Sequence, residues 1–313
     1  MTLAAPFPYF GGKRRAAPRI WQALGDPSGY VEPFAGSAAV LLARPLFKGR
    51  RVETLNDADG WLVNAWRAIQ LSPDAVAVAA WGPVAEIDYH ARLAWLQERR
   101  TPDLVAWLEG DPEAHDAKAA GWWLYVLACG IGDPFGPGPW QVVGGHLRKV
   151  GNAGRGVNRE LPHLGDAGQG QLQAYMKALA DRLHRVRITC GSWERVIRPS
   201  VTRSGTGGDG SRAIFLDPPY ATSGDLYAHA GGDVAIAVRE WCITAPRQLR
   251  IILCGYDNEH DALLDHSWTV TEGKAGGGAG YSTNSFNGRR ERLWLSPACI
   301  ATEQPSLLDG MTA

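Results

Sequence analysis

The chain has 313 residues, 45% of them hydrophobic and 20% charged, which fits a soluble globular protein of one large domain or one domain with a sizeable insertion. Lysine plus arginine and aspartate plus glutamate both count 32, so the formal net charge is zero, which excludes a uniformly basic surface and leaves any nucleic-acid-binding face to be local. The five cysteines form no CxxC pair and no window approaches the roughly 18 apolar residues of a membrane helix. These features predict a cytoplasmic protein with buried thiols and with no disulfide framework, metal site or membrane span.

In chain order, Lys13 to Leu24 reads as a helix, Tyr30 to Phe34 as a short apolar strand, Ser37 to Arg44 as a helix and Arg51 to Asn56 as a strand. Gly60 to Gln70 follows as an amphipathic helix carrying Trp61, Leu62, Ala65, Trp66 and Ile69. This alternation implies βαβ units and a parallel sheet. Residues 72–171 change character. Helices are predicted over Ala85 to Arg99 and His115 to Cys129, then a Gly, Pro and Asn-rich stretch runs from Gly130 to Gly170, so the segment reads as an insertion. The α/β pattern returns with strands at Val186 to Cys190, Ala213 to Asp217 and Leu249 to Gly255, and a helix over Asp233 to Ala245. Ser267 to Glu272 and Arg290 to Leu295 close the sheet as two strands without a helix between them. The expected domains are 1–71 with 172–300, an inserted region 72–171, and a tail 301–313; Pro199 to Ser211 reads as a loop.

Two constellations carry chemistry. In YVEPFAGSAAVLLAR, Gly36 stands where a strand gives way to a helix, the place where backbone comes close to a ligand and amides point outward. About 20 residues on, the second strand ends in Asn56-Asp57, and an acid there commonly binds ribose hydroxyls. Glycine turns and strand-end acids occur in many α/β proteins, but the absence of a full G-x-G-x-x-G favours a ligand with adenosine and no pyrophosphate over NAD.

The second constellation is AIFLDPPYATSG. An apolar strand delivers Asp217, two prolines then fix φ and remove two backbone donors, and Tyr220 follows. The Asp217 carboxylate and the Pro218 carbonyl can present fixed acceptors to an amine, while Tyr220 offers a face to a planar base. N-methylation of an adenine amine requires this, because its lone pair is delocalised into the ring and must be localised by acceptors on its hydrogens.

The segments PYFGGKRRAAPRI, YVEPFAGSAAV, VETLNDADGWLVNAWRAI and FLDPPY resemble, in order and spacing, the Dam-like family of DNA N6-adenine methyltransferases, including phage-encoded members. The resemblance covers residues 6–70 and 186–296. It implies a class I methyltransferase fold, Rossmann-like, with a mostly parallel sheet, one antiparallel edge strand and a mainly helical insertion for target recognition. It further implies S-adenosyl-L-methionine as cofactor and double-stranded DNA as partner, with the target adenine rotated out of the duplex. Carried onto this chain, Tyr9 and Lys13 would contact the cofactor, Lys13 near its carboxylate. Phe34 and Gly36 would line the methionine side, Asp57 would bind the ribose, Asp217 the target amine, and Ser192 and Trp193 would flank the cofactor adenine.

The chain departs from the family in carrying Ala38 where a further glycine is common and Tyr9 where many relatives carry tryptophan. For DNA, the flexible basic text from His146 to Arg159 predicts phosphate contacts by Arg148, Lys149, Arg155 and Arg159. Cytosine N4 or RNA adenine presents a similar amine and stays open as the acceptor, as does a DNA-binding relative without turnover. A monomer is expected.

Overall fold

A computed structural model of the chain describes residues 3–7, 9, 12–45, 51–101, 103–111, 113–130, 135, 140–143, 146–149, 168–199, 211–219, 232–273 and 290–300. It contains a seven-stranded sheet and a separate two-stranded one. The large sheet comprises β1 (Gly29–Glu32), β2 (Val52–Asp57), β5 (Val186–Cys190), β6 (Arg212–Leu216), β7 (Arg250–Tyr256), β8 (Thr269–Glu272) and β9 (Glu291–Leu295). Their spatial order is β5-β2-β1-β6-β7-β9-β8. The pairs from β5 through β7 are parallel, whereas β9 runs antiparallel to both β7 and β8. This order is that of a class I methyltransferase sheet, and it corrects one expectation: the antiparallel strand is β9, one in from the edge, and the edge itself is β8.

Alternate residues of the central strands face two cores. Phe215, Ile252 and Cys254 join one with α1 (Ala17–Leu24) and α3 (Gly60–Leu71). Leu216, Ile251 and Leu253 join the other with Val238 and Cys242 of α9 (Gly232–Thr244). A sheet covered on both faces needs apolar side chains at every position, which is why these strands read as continuous apolar runs.

Two predicted helices are shorter than their sequence patterns, for local reasons. α1 starts at Ala17 because Pro18, lacking an N–H, fits only the first turn. Lys13 therefore lies in the lead-in, outside the helix. The helix expected over Ser37 to Arg44 is reduced to α2 (Ala39–Leu42), because Gly36 and Ala38 both hold positive φ and Ala38, rather than Ser37, is the N-cap.

The middle of the chain holds α4 (Pro73–Ala80), α5 (Glu86–Arg99), α6 (Asp103–Gly110) and α7 (Ala117–Cys129), of which α4 and α6 were not predicted. Leu96, Trp123 and Val126 share the first core with α3 and with α8 (Gln169–Leu183), so these helices pack onto the α/β layer. Within the Gly- and Pro-rich stretch, where no strand was expected, β3 (Trp140–Val143) and β4 (His146–Lys149) form an antiparallel hairpin with Gln141 opposite Arg148. No helix among the described residues is long and apolar enough to cross a membrane, and no cluster of three or more metal-ligating side chains occurs among them.

Candidate active site

β1 is paired on one side with β2, which follows it in sequence, and on the other with β6, so the chain reverses its direction of travel across the sheet between β1 and β6. In open α/β sheets the crevice outside the strand carboxyl ends at such a point is where ligands bind. A cleft of about 560 Å³, including its part open to solvent, lies there. Tyr9, Lys13, Phe34, Gly36, Asp57 and Asp217 all line it.

The wall after β1 is held by hydrogen bonds. The Gly36 N–H donates to Asp57 Oδ2 at 3.0 Å and the Trp66 indole N–H donates to the Gly36 carbonyl at 3.0 Å. Asp57 Oδ1 accepts from the Asp59 N–H at 3.0 Å. Next to it, the buried Asn56 amide donates to the carbonyls of Pro33 and Gly191 and accepts from the Thr189 hydroxyl, tying together the ends of β1, β2 and β5. Gly36 has φ +46°, and a Cβ there would meet the Tyr9 ring at 2.6 Å, so both the backbone conformation and the packed ring favour glycine at this turn. Burial raises the Asp57 carboxyl to about 6 against the pull of its backbone donors.

Glu32, at the end of β1, also lines the cleft and was missed by the sequence reading. Its Oε1 accepts from the Tyr30 hydroxyl and from the Leu41 N–H, both at 2.6 Å. Burial raises this carboxyl to about 8; the two hydrogen bonds oppose the rise and the nearby charges of Glu53 and Asp217 add to it. The available signal was its position in YVEPF: an acid inside an apolar strand is buried for a reason.

The opposite wall follows β6. Asp217 leaves the strand end, Pro218 is buried and Pro219 lines the cleft, while Pro218 does not. Lys13 reaches across to Asp217 Oδ2 at 3.0 Å and stands 3.8 Å from Glu291 Oε1, with its side chain only 6% exposed. Trp193, expected beside the cofactor adenine, does not line the cleft; it stacks on Phe34 with ring centroids 6.1 Å apart and supports that ring from the second core. Ser192 is exposed just before it.

Tyr220, Arg155 and Arg159 lie outside the described residues, and Arg148 and Lys149 are placed only as backbone of β4.

Residues 9–80 match the family model of the D12 class N6 adenine-specific DNA methyltransferases. The matched stretch carries Tyr9, Lys13, Phe34, Gly36 and Asp57, agrees with the Dam-like resemblance, and ends well before Asp217. No curated protein matches the chain.

Proposed function

We propose that this chain, whose residues 9–80 match the family model of the D12 class N6 adenine-specific DNA methyltransferases, transfers a methyl group from S-adenosyl-L-methionine to N6 of adenine in double-stranded DNA. The observation that carries the reading is the convergence, in one cleft at the β1–β6 switch point, of the Gly36 turn and Asp57 with Asp217 and Pro219.

The donor set fits the cofactor. The carboxyls of Glu32, Asp57 and Asp217 face a single ammonium, that of Lys13, among the described lining residues. An excess of carboxyls suits a ligand that carries both an ammonium and a sulfonium against one carboxylate, and those cations would in turn favour the ionised form of the raised Glu32 and Asp57 carboxyls. S-adenosyl-L-methionine would supply an electrophilic methyl group on sulfur. Asp57 would accept from ribose hydroxyls on its remaining lone pairs, and Lys13 would hold the ligand carboxylate. Both hydrogen bonds to Glu32 fall on Oε1, which leaves Oε2 for a cationic group. Tyr9 and Phe34 supply ring surface, with Trp193 as the backing of Phe34.

For the acceptor, Asp217 would take a hydrogen bond from the target amine and localise its lone pair, with the Pro218 carbonyl as second acceptor and Tyr220 as the stacking face. Because the cleft lies at strand ends inside the protein, the adenine must leave the duplex to reach it. Residues 72–171 are proposed as the target-recognition region, with Arg148, Lys149, Arg155 and Arg159 contacting phosphates.

The test is incubation of the purified chain with labelled S-adenosyl-L-methionine and either duplex DNA or RNA of the same sequence, followed by nucleoside analysis. Label in N6-methyladenine from DNA is expected. Label in N4-methylcytosine, or in RNA alone, would replace the acceptor, and DNA binding with no label in any product would leave a binding protein.

A further inference from the structure

Lys13 poses a problem for the chemistry just described. Its ammonium is buried and, of its ion-pair partners, the nearer is Asp217, the carboxylate that has to serve a ligand amine. A buried ammonium that loses its counter-ion is strongly destabilised, so every hydrogen bond Asp217 accepts from a ligand weakens the compensation of Lys13.

Glu291 resolves this. It is the first residue of β9, and the antiparallel register sets it opposite Tyr256, at the carboxyl end of β7 and therefore at the same edge of the sheet as Asp217. Its Oε1 stands 3.8 Å from the Lys13 ammonium, and its side chain is 17% exposed against 21% for Asp217. Below this group lies the Cys254 thiol, hydrogen-bonded to Asp217 and within the electrostatic reach of Lys13 and Glu291; burial pushes that thiol well up, so it stays neutral. Two carboxylates from strands on either side of β7 thus share one ammonium over an uncharged floor.

We propose that Glu291 is a positioning residue that acts through Lys13: it is the standing counter-ion of that ammonium and so leaves Asp217 available to the cofactor and the target amine. The proposal rests on the methyltransferase reading. Without Glu291, the Lys13 ammonium draws more fully on Asp217, and a ligand amine must compete with it for the charge of that carboxylate.

The experiment is a double-mutant cycle of Glu291→Gln with Lys13→Met, read in two ways. In the ligand-free protein, Glu291→Gln lowers the thermal midpoint in the parent and leaves it unchanged or raised in the Lys13→Met background. In single-turnover transfer with cofactor and DNA saturating, Glu291→Gln slows the parent tenfold or more, leaves the DNA dissociation constant within twofold, and changes the rate of the Lys13→Met variant less than twofold. Additive effects in either readout overturn the proposal. So does coupling in the thermal midpoint with a parent-like transfer rate, which would make the pair an ordinary buried ion pair. A parent chain that transfers no methyl overturns the functional reading and the role in transfer together, and the ligand-free cycle then reports separately on whether Glu291 holds Lys13.

Discussion

The β1 wall of the cleft is held by hydrogen bonds, Gly36 to Asp57, Asp57 to Asp59 and Asn56 to Gly191, whereas the β6 wall is held by charges from residues 13, 217 and 291. The first is a matter of shape: positive φ at Gly36, a glycine pressed by the Tyr9 ring, and a carboxyl fixed by backbone donors. The second is a matter of electrostatics, with two carboxylates around one buried ammonium. A shape wall can select and orient a ligand, while a charge wall can change the reactivity of what is bound. On this division, substitutions on the β6 side should slow transfer and substitutions on the β1 side should act on stability or cofactor binding.

The largest expected effect tests the charge wall. Asp217→Asn keeps the shape of the Pro218-Pro219 turn and replaces a charged acceptor with an amide that can present its own donors to Lys13 and to the target amine. Transfer measured before the steady state, with cofactor saturating, should fall on the order of a hundredfold or more, by analogy with the loss of one preorganised charge-stabilising group. DNA affinity should stay near the parent value because phosphate contacts elsewhere supply most of it. A variant that transfers at the parent rate would reduce Asp217 to the end of a strand and erase the contrast between the two walls.

The next effect belongs to the buried carboxyl of the β1 wall and is read as stability against pH. Glu32 is raised in the folded chain to about 8, above the value near 4.5 of an unperturbed glutamate, so its contribution is fully present below pH 4.5 and is lost as pH rises through 8. His260 works in the other direction: burial lowers it from 6.5 to about 4, so its contribution is present above pH 6.5 and is lost as pH falls toward 4. Above 6.5 the two no longer overlap. Denaturant titrations of the ligand-free protein should therefore show a loss on the order of 1 to 2 kcal/mol between pH 6.5 and 8, as one proton is released through a folded-state value of about 8. Glu32→Gln keeps an acceptor for the Tyr30 hydroxyl and the Leu41 N–H and should flatten this slope. A slope unchanged in that variant would mean that Glu32 is not the group that titrates.

The same contrast governs what the sequence discloses. The β1 wall is legible because its causes are local: an apolar run ending in Pro33-Phe34, a glycine at the turn, and an acid at the end of the next strand. Asp217 is legible too, since two prolines after a buried strand announce a stiffened acceptor. Glu291 is not, because its place depends on an antiparallel strand pairing across β7, and nothing near residue 291 encodes where Lys13 will be. The helices α4 and α6 fall between these cases. Ser72-Pro73 before an alanine-rich segment is a fair helix start, but α4 is short, and short helices draw most of their stability from packing. The β3–β4 hairpin lies in text whose glycines and prolines mask the strand signal.

The smallest expected effect concerns Ala38, where the family resemblance leads one to expect glycine. Its backbone is left-handed, φ 48° and ψ 28°, its N–H donates to the Ala35 carbonyl at 2.7 Å, and it caps α2 by accepting from Leu42 at 2.9 Å. A left-handed conformation costs an L-residue roughly 1 to 2 kcal/mol, which Ala38→Gly would remove. Against that stand the loss of one fully buried methyl group, about 0.8 kcal/mol, and the added freedom of the unfolded chain, about 0.4 to 1 kcal/mol. The terms nearly cancel, so chemical denaturation should place Ala38→Gly within about 0.5 kcal/mol of the parent, with cofactor affinity unchanged. Ala38→Val adds bulk to a closed site and a β-branched residue to a left-handed turn, and should cost well over 1 kcal/mol. If glycine instead stabilises the fold by more than about 1 kcal/mol, the turn stores strain that the buried methyl does not offset. The alanine would then impose a cost on this wall, and the shape of the β1 turn would be under tension in the same way as the charges opposite.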